Sequence, residues 1–462
     1  MNKVLFVVFL FILTTHLYPQ DISGSWAGSL NIQGTKLRIV FNITKTDTLY
    51  VSTMDSPDQG AYDIPTTSTG YSKGKLDIIV KGLTLHYQGE LKNDSIIGVF
   101  KQGAMSLPLN MSRGVKAGPL RPQTPNEPFP YKSELVALTS KDGNHIISGT
   151  LTKPLGSSIF PAIVLIAGSG PNDRDETLFG HKPFLVISDH LTKNGFAVLR
   201  YDKRGVGSST GNYELATVND FAQDAELAVE YLRKRKDIDN NKIGLLGHSE
   251  GGLVASMVAS DNNDIGFVIL MASPGIKGID IVLDQNEFSM SHQNFDPEVI
   301  LEMQKINKDM FTGLTEWKGT EIESTVLQQK LSDLWDLIPS HISANVEKDS
   351  FLRSQYNAMI RRGYRSFLSS NPALYLQVIN CPVFAINGKL DSQVLAEKNL
   401  DAIKNALVKG GNTSFDTKVY DNLNHLFQES VTGFASEYAK IEQTISPEVL
   451  SDITDWLHKQ EK

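Results

Sequence analysis

The sequence predicts an α/β protein with a mostly parallel sheet, helices on both faces of that sheet and a helical insertion, preceded by a small antiparallel all-β domain. Three observations predict it. Residues 21–112 contain short strand-like runs separated by turn signals, apolar runs alternate with helical patterns from about Lys132 onward, and one strand-to-helix junction holds a serine between glycines. Strands that alternate with helices are typical of a parallel sheet covered by helices.

Composition indicates an ordinary globular protein. The 462 residues include 44 Lys and Arg against 52 Asp and Glu, which gives 44 − 52 = −8, and 40% of them are hydrophobic. This length predicts two or three domains and a large buried core. The mildly acidic balance argues against a nucleic-acid partner, because proteins that bind nucleic acid normally have a basic face. The single cysteine, Cys381, excludes an internal disulfide and a cysteine-rich zinc site.

Residues 1–20 have the pattern of a secretory signal peptide. Lys3 precedes ten apolar residues at positions 4–13, and a polar stretch then leads to Gln20. A bilayer span needs about 20 apolar residues, so this run predicts cleavage and no stable membrane span. The alternative is a buried first strand. An exported chain without a disulfide framework fits a bacterial periplasmic or extracellular enzyme.

Residues 21–112 are predicted to form the all-β domain, as a small antiparallel sandwich or barrel. The best strand candidates are residues 37–43, 76–80, 83–91, 96–100 and 105–109. Residues 113–131 differ in character, because they include Pro119, Pro122, Pro125, Pro128 and Pro130. Proline disfavours pairing within a sheet and stiffens an extended chain, so this segment is predicted to be a linker.

Residues 132–462 are predicted to form the α/β domain. Its strand candidates are residues 135–139, 146–151, 162–167, 196–201, 242–246, 267–272, 383–387 and 417–420. The first two suggest an antiparallel hairpin, and the later ones are continuous apolar runs, as expected when helices cover both faces. Thr217 and Asp220 can form a capping box at the start of a helix. Residues from about 276 to 380 look helical and contain no strand candidate, which predicts a cap over the strand ends.

The strongest chemical signal is the sequence G-H-S-E-G at residues 247–251. It follows an apolar strand and precedes a helical pattern, which is the setting in which a G-x-S-x-G serine occupies a tight turn. Glycine on both flanks removes side chains that would collide at such a turn. The turn would raise the Ser249 hydroxyl above the sheet edge and direct a helix N-terminus at it. We therefore predict that Ser249 is a nucleophile.

A serine nucleophile needs a histidine base, and the histidine needs an acid to orient it. In this arrangement the acid and the base follow the serine along the chain, in that order. Asp391 follows the next-to-last predicted strand and His425 follows the last, so both belong at the sheet edge where Ser249 lies. Asp416 and Asp421 are the alternative acids, but both flank the last strand rather than the preceding one.

The oxyanion that forms on attack needs N–H donors that are already in place. One should be the backbone N–H of Glu250, the residue after the nucleophile. The other should come from the loop that begins at Gly168, where Ser169 is the first choice and Gly170 the second. The alternative is that this loop is an ordinary glycine turn.

Other histidines have simpler interpretations. The position of His248 beside Ser249 on the turn directs its side chain elsewhere, which indicates a packing role. Five further histidines do not follow a sheet strand and are interpreted as surface or core polar residues; they are His181, His190, His292, His341 and His458. No two histidines combine ligand spacing with a neighbouring carboxylate, so no metal is predicted.

Five motifs in this order resemble the α/β-hydrolase superfamily, most closely its bacterial carboxylesterases and their serine-aminopeptidase-like relatives. They are G-S-G-P-N-D-R-D at 168–175, Y-D-K-R-G-V-G-S at 201–208, G-H-S-E-G at 247–251, G-K-L-D at 388–391 and N-H at 424–425. The resemblance implies the α/β-hydrolase fold and an ester hydrolase with a helical cap over its pocket. It does not extend to the β-rich segment before Pro119.

The resemblance also implies roles for residues around the motifs. Asp202 and Arg204 match a turn that fixes the loop after its strand, and Arg174 and Asp175 match positions beside the oxyanion loop that could shape the pocket. Ala167 departs from the pattern, because many relatives have histidine before the oxyanion glycine. The backbone donor should be unaffected by this change.

The expected reaction is acyl transfer from a small-molecule ester to Ser249. His425 takes the hydroxyl proton, Asp391 holds the imidazole, and the N–H groups of Glu250 and Ser169 stabilise the oxyanion. No cofactor is expected, and no prediction of oligomeric state follows. A peptidase, aminopeptidase or amidase with the same triad is the alternative, and a non-catalytic binding protein is a remote one.

Overall fold

A computed structural model describes residues 21–32, 35–46, 49–59, 61–103, 105–114, 121–156, 158–344 and 346–460. The predicted signal peptide, residues 1–20, lies outside these ranges. The chain divides into two compact units, Met1–Pro119 and Leu120–Lys462. None of the helices in the described ranges is long and apolar enough to cross a bilayer.

The first unit is an antiparallel barrel. Its strands are β1 (Gly24–Ile32), β2 (Thr35–Lys45), β3 (Tyr50–Ser56), β4 (Ala61–Pro65), β5 (Ser68–Ser72), β6 (Lys75–Val80), β7 (Leu85–Lys92), β8 (Ser95–Gln102), β9 (Met105–Pro108) and β10 (Met111–Gly114). The order is β10-β1-β2-β3-β5-β6-β7-β8-β9, and β4 pairs with β3. Because β10 pairs with both β1 and β8, the sheet closes on itself.

Large aromatic side chains fill the interior of this barrel. Trp26, Phe41 and Tyr87 are fully buried, and the rings of Phe41 and Tyr87 lie 5.4 Å apart. Each polar group that these rings bring inside is satisfied: Trp26 Nε1 donates to the Ile22 carbonyl at 2.7 Å and the Tyr87 hydroxyl donates to the Leu109 carbonyl at 3.0 Å. The barrel interior is thus a packed core built on these rings.

The second unit contains an eight-stranded sheet. Its strands are β11 (Lys132–Thr139), β12 (Ile146–Lys153), β13 (Phe160–Ile166), β14 (Ala197–Tyr201), β15 (Ile238–His248), β16 (Phe267–Met271), β17 (Val383–Gly388) and β18 (Phe415–Tyr420). The order is β11-β12-β14-β13-β15-β16-β17-β18. β12 pairs antiparallel with both β11 and β14, and every other pairing in this sheet is parallel.

The second unit also contains helices, some of which cover both faces of this sheet. They are α1 (Pro183–Lys193), α2 (Val218–Arg233), α3 (Glu250–Asp261), α4 (Gly278–His292), α5 (Pro297–Thr315), α6 (Glu321–Asp336), α7 (Ser340–Ser343), α8 (Lys348–Met359), α9 (Arg362–Leu368), α10 (Pro372–Leu376), α11 (Ala396–Lys409), α12 (Ala435–Tyr438) and α13 (Pro447–Gln460). One apolar core joins the sheet to α2, α3 and α11, and a second joins it to α1 and α13. Helices α4–α10 lie between β16 and β17 in the chain.

The predicted fold class is confirmed: an α/β-hydrolase fold with a mostly parallel sheet follows an antiparallel all-β unit, which is a barrel. The capping box of α2 is also present, because Thr217 N–H donates to Asp220 Oδ2 at 2.8 Å and Asp220 N–H donates to the Thr217 hydroxyl at 3.3 Å. All eight predicted strands of the second unit have a counterpart. In the first unit, β1, β3, β4, β5 and β10 were not predicted, and β10 includes Arg113 and Gly114 at the start of the predicted linker.

The barrel core provides a stability test. Replacing Phe41 by Ala should lower the free energy of unfolding of the first unit by about 3–5 kcal/mol, because the change leaves a cavity beside Tyr87. Urea titration followed by the fluorescence of Trp26 measures it, in a background in which Trp317, Trp335 and Trp456 of the second unit are replaced by Phe. Val51→Ala is the control, because Val51 is half exposed on β3, and an equal effect of both changes would contradict the packed interior.

Candidate active site

Ser249 lies on the turn between β15 and α3, with backbone angles φ 54° and ψ −123°. A non-glycine residue with positive φ is strained, so tight surroundings must hold it there. A Cβ atom on Gly247 would come within 2.1 Å of the Gly251 carbonyl oxygen, and one on Gly251 within 2.0 Å of the Ile166 carbonyl oxygen. Both glycines of the G-x-S-x-G sequence are therefore required by backbone contacts, which press the start of α3 against the end of β13.

The predicted base and acid are in hydrogen-bond contact. His425 Nδ1 lies 2.7 Å from Asp391 Oδ2, and both residues are buried. The other carboxylate oxygen of Asp391 accepts hydrogen bonds from the backbone N–H groups of Gln393 and Val394, at 2.8 and 2.9 Å. A carboxylate held in this way fixes Nδ1 as the protonated nitrogen, which leaves Nε2 of His425 as the acceptor.

The alternative acids lie elsewhere. Asp416 accepts a hydrogen bond from Trp456 Nε1 at 2.9 Å, and the exposed Asp421 lies 3.6 Å from Lys389 Nζ. Of the three candidate aspartates, Asp391 is the one that contacts His425.

A cavity of about 450 Å³ brings the predicted residues together. Its floor includes Ser249, His425, Glu250, Ser169 and Gly170. Its opposite wall comes from the inserted helices and includes Ile281, Val282, Gln285, Ala358, Tyr364 and Phe367. Among the described residues, no hydrogen bond joins Ser249 Oγ to His425 Nε2, and such contacts often tighten only when substrate binds.

Two backbone N–H groups at this floor are available for an anion. Within the described part of the chain, neither the N–H of Ser169 nor that of Glu250 has a hydrogen-bond partner. The N–H of Gly168, in contrast, donates to Glu176 Oε1 at 2.7 Å. Gly170 has φ +102°, a conformation that suits glycine and bends the loop away after Ser169. Ser169 and Glu250 thus both line the cavity and both carry a backbone N–H without a partner among the described residues.

A buried lysine, which the sequence analysis did not single out, lies directly beneath this floor. Lys203 Nζ donates to the Gly168 carbonyl at 2.5 Å and lies 3.1 Å from Glu250 Oε1. It also lies 4.4 Å from the ring centre of Phe221. In the Y-D-K-R motif, Lys203 stands between Asp202 and Arg204, to which the resemblance did give roles. This position is the signal by which the sequence could have identified Lys203.

His248 is buried with its ring 4.9 Å from the His425 ring, and besides this packing it makes two polar contacts that the sequence did not indicate. Its Nδ1 lies 3.0 Å from Glu176 Oε1, and its Nε2 lies 3.0 Å from the carbonyl oxygen of His425. Both partners are acceptors, so both ring nitrogens must donate, which requires the protonated imidazole. Although burial opposes this charge, the Glu176 carboxylate raises the pKa of His248 above its usual value. The pair connects the oxyanion loop to the loop that carries His425.

Arg174 and Asp175 brace the loop from outside the cavity. Arg174 donates to both carboxylate oxygens of Asp202, at 3.0 and 2.6 Å, and Asp175 pairs with Arg200. Asp202 also accepts from the N–H of Ser208 at 2.9 Å. These ion pairs fix the loops after β13 and β14. Within the described ranges, no group of three or more His, Cys, Asp or Glu side chains is arranged to hold a metal ion.

Known proteins resemble parts of this chain. Residues 184–307 match the family model described as serine aminopeptidase, S33. Esterase EstD of Thermotoga maritima is 36% identical over 145 residues, which cover 31% of this chain and 34% of the esterase. The uncharacterized protein YfhR of Escherichia coli O157:H7 is 27% identical over 179 residues, which cover 36% of this chain and 59% of that protein. The chain therefore spans between about a third and three fifths of these two relatives.

Solved structures of other proteins also align with the chain, and two of them serve as examples. An esterase of Pyrococcus furiosus is 18% identical, with a TM-score of 0.43, and the match covers 75% of this chain and 99% of that one. A proline iminopeptidase of Mycobacterium smegmatis is 13% identical, with a TM-score of 0.42, and the match covers 71% and 99%.

The charge on His248 predicts a pH-dependent contribution to stability. Its folded pKa is raised above the reference value of 6.5, so the ion pair stabilises the fold fully below pH 6.5 and loses this effect as pH rises through the folded pKa. The difference in free energy of unfolding between wild type and His248→Gln should therefore be largest near pH 5.5 and shrink toward pH 8.5. Urea titrations across this range measure it.

The exposed His341 supplies the comparison variant. His341→Gln removes a histidine without touching the Glu176 pair. A His248→Gln difference that grows as pH rises would contradict a protonated His248.

Proposed function

Because the second unit belongs to the α/β-hydrolase superfamily, we propose that the chain is a serine hydrolase that cleaves carboxylic esters through an acyl-enzyme intermediate. The observation that carries this proposal is that His425, which is hydrogen-bonded to Asp391, lines the same cavity as Ser249. We propose further that the chain is exported, on the strength of the leader pattern in residues 1–20.

The proposed reaction begins when Ser249 Oγ attacks the ester carbonyl carbon and its proton passes to His425 Nε2. Asp391 holds the imidazole and stabilises the imidazolium that forms. The negative charge that develops on the carbonyl oxygen is stabilised by the N–H groups of Ser169 and Glu250, and one such donor typically contributes about 3–4 kcal/mol.

The second half of the reaction repeats these roles with water. His425 gives its proton to the leaving alcohol as the bond from the carbonyl carbon to the alcohol oxygen breaks, which leaves an acyl group on Ser249. Water then loses a proton to His425 Nε2 and attacks the acyl carbon. Collapse of the second tetrahedral species returns the proton to Ser249 and releases the acid.

The charge pattern of the cavity favours a neutral ester over a peptide with a free amino terminus. Three carboxylates are among its described lining residues, and each has a basic partner: Glu176 pairs with His248, Glu214 with Arg361, and Glu250 with Lys203. A substrate ammonium group would have to displace one of these partners. The apolar side chains on the cap side suit an acyl or alkyl group instead.

An aminopeptidase is the second candidate, because the matched family model carries that description. It would use the same serine and histidine on an amide carbonyl. The two candidates differ in the substrate that turns over, so one panel of substrates separates them.

Replacing Ser249 by Ala should lower the rate of hydrolysis of p-nitrophenyl esters by at least about 10³-fold, because the nucleophile is lost.

The wild type should show an optimum in a series from acetyl to longer acyl chains, because the cavity has a limited volume of about 450 Å³. A fluorophosphonate should label Ser249, as mass spectrometry of the modified peptide would show.

Ser260→Ala is the matched control, because Ser260 is on the same helix and donates to the Met257 carbonyl at 2.7 Å, away from the cavity. Turnover of aminoacyl p-nitroanilides without turnover of esters would support the aminopeptidase. Turnover of neither, with no labelling, would overturn both candidates.

Replacing Asp391 by Asn should lower kcat by about 10⁴-fold while the protein stays folded, because an amide in this position favours the wrong imidazole tautomer. Steady-state kinetics on the best ester measure it. Asp416→Asn is the control and should keep nearly full activity, since Asp416 contacts Trp456. A larger loss with Asp416→Asn than with Asp391→Asn would reassign the acid.

A further inference from the structure

The peptide group between Gly168 and Ser169 is held through its carbonyl oxygen. A trans peptide is planar, so its N–H and its carbonyl point in opposite directions. The N–H of this group belongs to Ser169, the proposed oxyanion donor, and the carbonyl belongs to Gly168. That carbonyl accepts two hydrogen bonds, from Lys203 Nζ at 2.5 Å and from Asn172 Nδ2 at 2.8 Å. Together these bonds fix the direction in which the Ser169 N–H points.

Burial and several partners hold the Lys203 ammonium group in contact with this carbonyl. The side chain is almost fully buried, and its ammonium group meets three parts of the fold: the Gly168 carbonyl, the Glu250 carboxylate at 3.1 Å and the Phe221 ring at 4.4 Å. A buried cation is costly unless it is paired and hydrogen-bonded, and these contacts compensate it. Glu250 is also the residue whose N–H is the second proposed donor, so one ammonium group contacts the peptide that carries the first donor and the side chain of the residue that carries the second.

We propose that Lys203 is a positioning residue of the oxyanion hole, which orients the Gly168–Ser169 peptide and makes its N–H a stronger donor. The inference rests on the proposed function. A cation on the carbonyl draws electron density from the peptide, so the N–H at its other end becomes more positive. Because the contact is buried, this effect is screened less than it would be in water. The N–H of Ser169 meets full negative charge only in the tetrahedral intermediate, so Lys203 acts mainly on kcat.

The test compares Lys203→Met with the wild type, because methionine keeps an unbranched apolar stem and removes the charge. On a p-nitrophenyl ester, kcat should fall on the order of 10- to 100-fold with little change in KM, a smaller loss than that of a donor itself. Affinity for a trifluoromethyl ketone, which forms an oxyanion adduct with the serine, should fall by a similar factor. Affinity for the alcohol product, which carries no such charge, should stay within about twofold, since ground-state binding is not involved.

Two further variants isolate the contact. Lys153→Met is the matched control, because Lys153 is also buried and ion-paired, but its partners are Asp237 and Glu134 rather than Gly168 and Glu250. It should keep the kcat of the wild type. The double variant Lys203→Met, Glu250→Gln leaves no unpaired carboxylate behind and should show the same loss as Lys203→Met. Recovery of activity in the double variant would assign the effect to a stranded Glu250 charge and overturn the proposal.

A second route covers the case in which Lys203→Met does not fold. Asn172→Ala removes the neutral donor from the same carbonyl, together with its bond to the Ser169 carbonyl at 3.0 Å, and it should lower kcat and adduct affinity together by a smaller factor. Unchanged kcat and adduct affinity in the folded variants, or an equal loss in Lys153→Met, would overturn the role of Lys203 and leave the proposed esterase intact. A wild type that neither hydrolyses esters nor reacts with the fluorophosphonate would overturn both.

Discussion

The close approach of two backbone segments governs the geometry of the site. The first turn of α3 lies against the end of β13 so closely that no side chain fits at Gly251, and the turn before it leaves no room at Gly247. This contact forces the positive φ of Ser249 and sets the distance from the serine to the loop that follows β13. A Cβ atom on Gly168 would lie 3.1 Å from Ser249 Cβ, so serine and loop are immediate neighbours. Backbone contact of this kind is rigid, which suits the proposed oxyanion site, whose donors must stay in a fixed place.

Around this contact, buried ion pairs tie the loops to one another. Glu176 with His248 and Lys203 with Glu250 each join segments that are far apart in the chain, by 72 and 47 residues. Pairs of this kind add little net stability, but loss of one partner leaves an unpaired buried charge at a cost of about 3–5 kcal/mol. Their effect is therefore to exclude other loop arrangements.

The sequence was sufficient for the parts of the structure that depend on local pattern. The parallel strands of the second unit are continuous apolar runs, and Ser249, Asp391 and His425 could each be located because strand ends in such a sheet meet at one edge. The polar strands of the first unit were missed, since a run such as S-T-G-Y-S in β5 has no apolar alternation to mark it. Lys203 and the Glu176–His248 pair were missed for another reason. Their roles come from contacts across loops, and no spacing rule brings those residues together.

The inserted helices have apolar clusters of their own. One cluster includes Met310, Phe311 and Leu327, and another includes Met290, Phe295 and Met303. Phe367 packs against both the first cluster and one core of the sheet, but the buried members of the two clusters are distinct from those of the sheet cores. The proposed catalytic groups come from the sheet edge, whereas the opposite wall of the cavity comes from this insertion. The insertion can therefore change in evolution while the sheet edge stays the same. Related chains could then differ in the substrates they bind and keep the same catalytic groups.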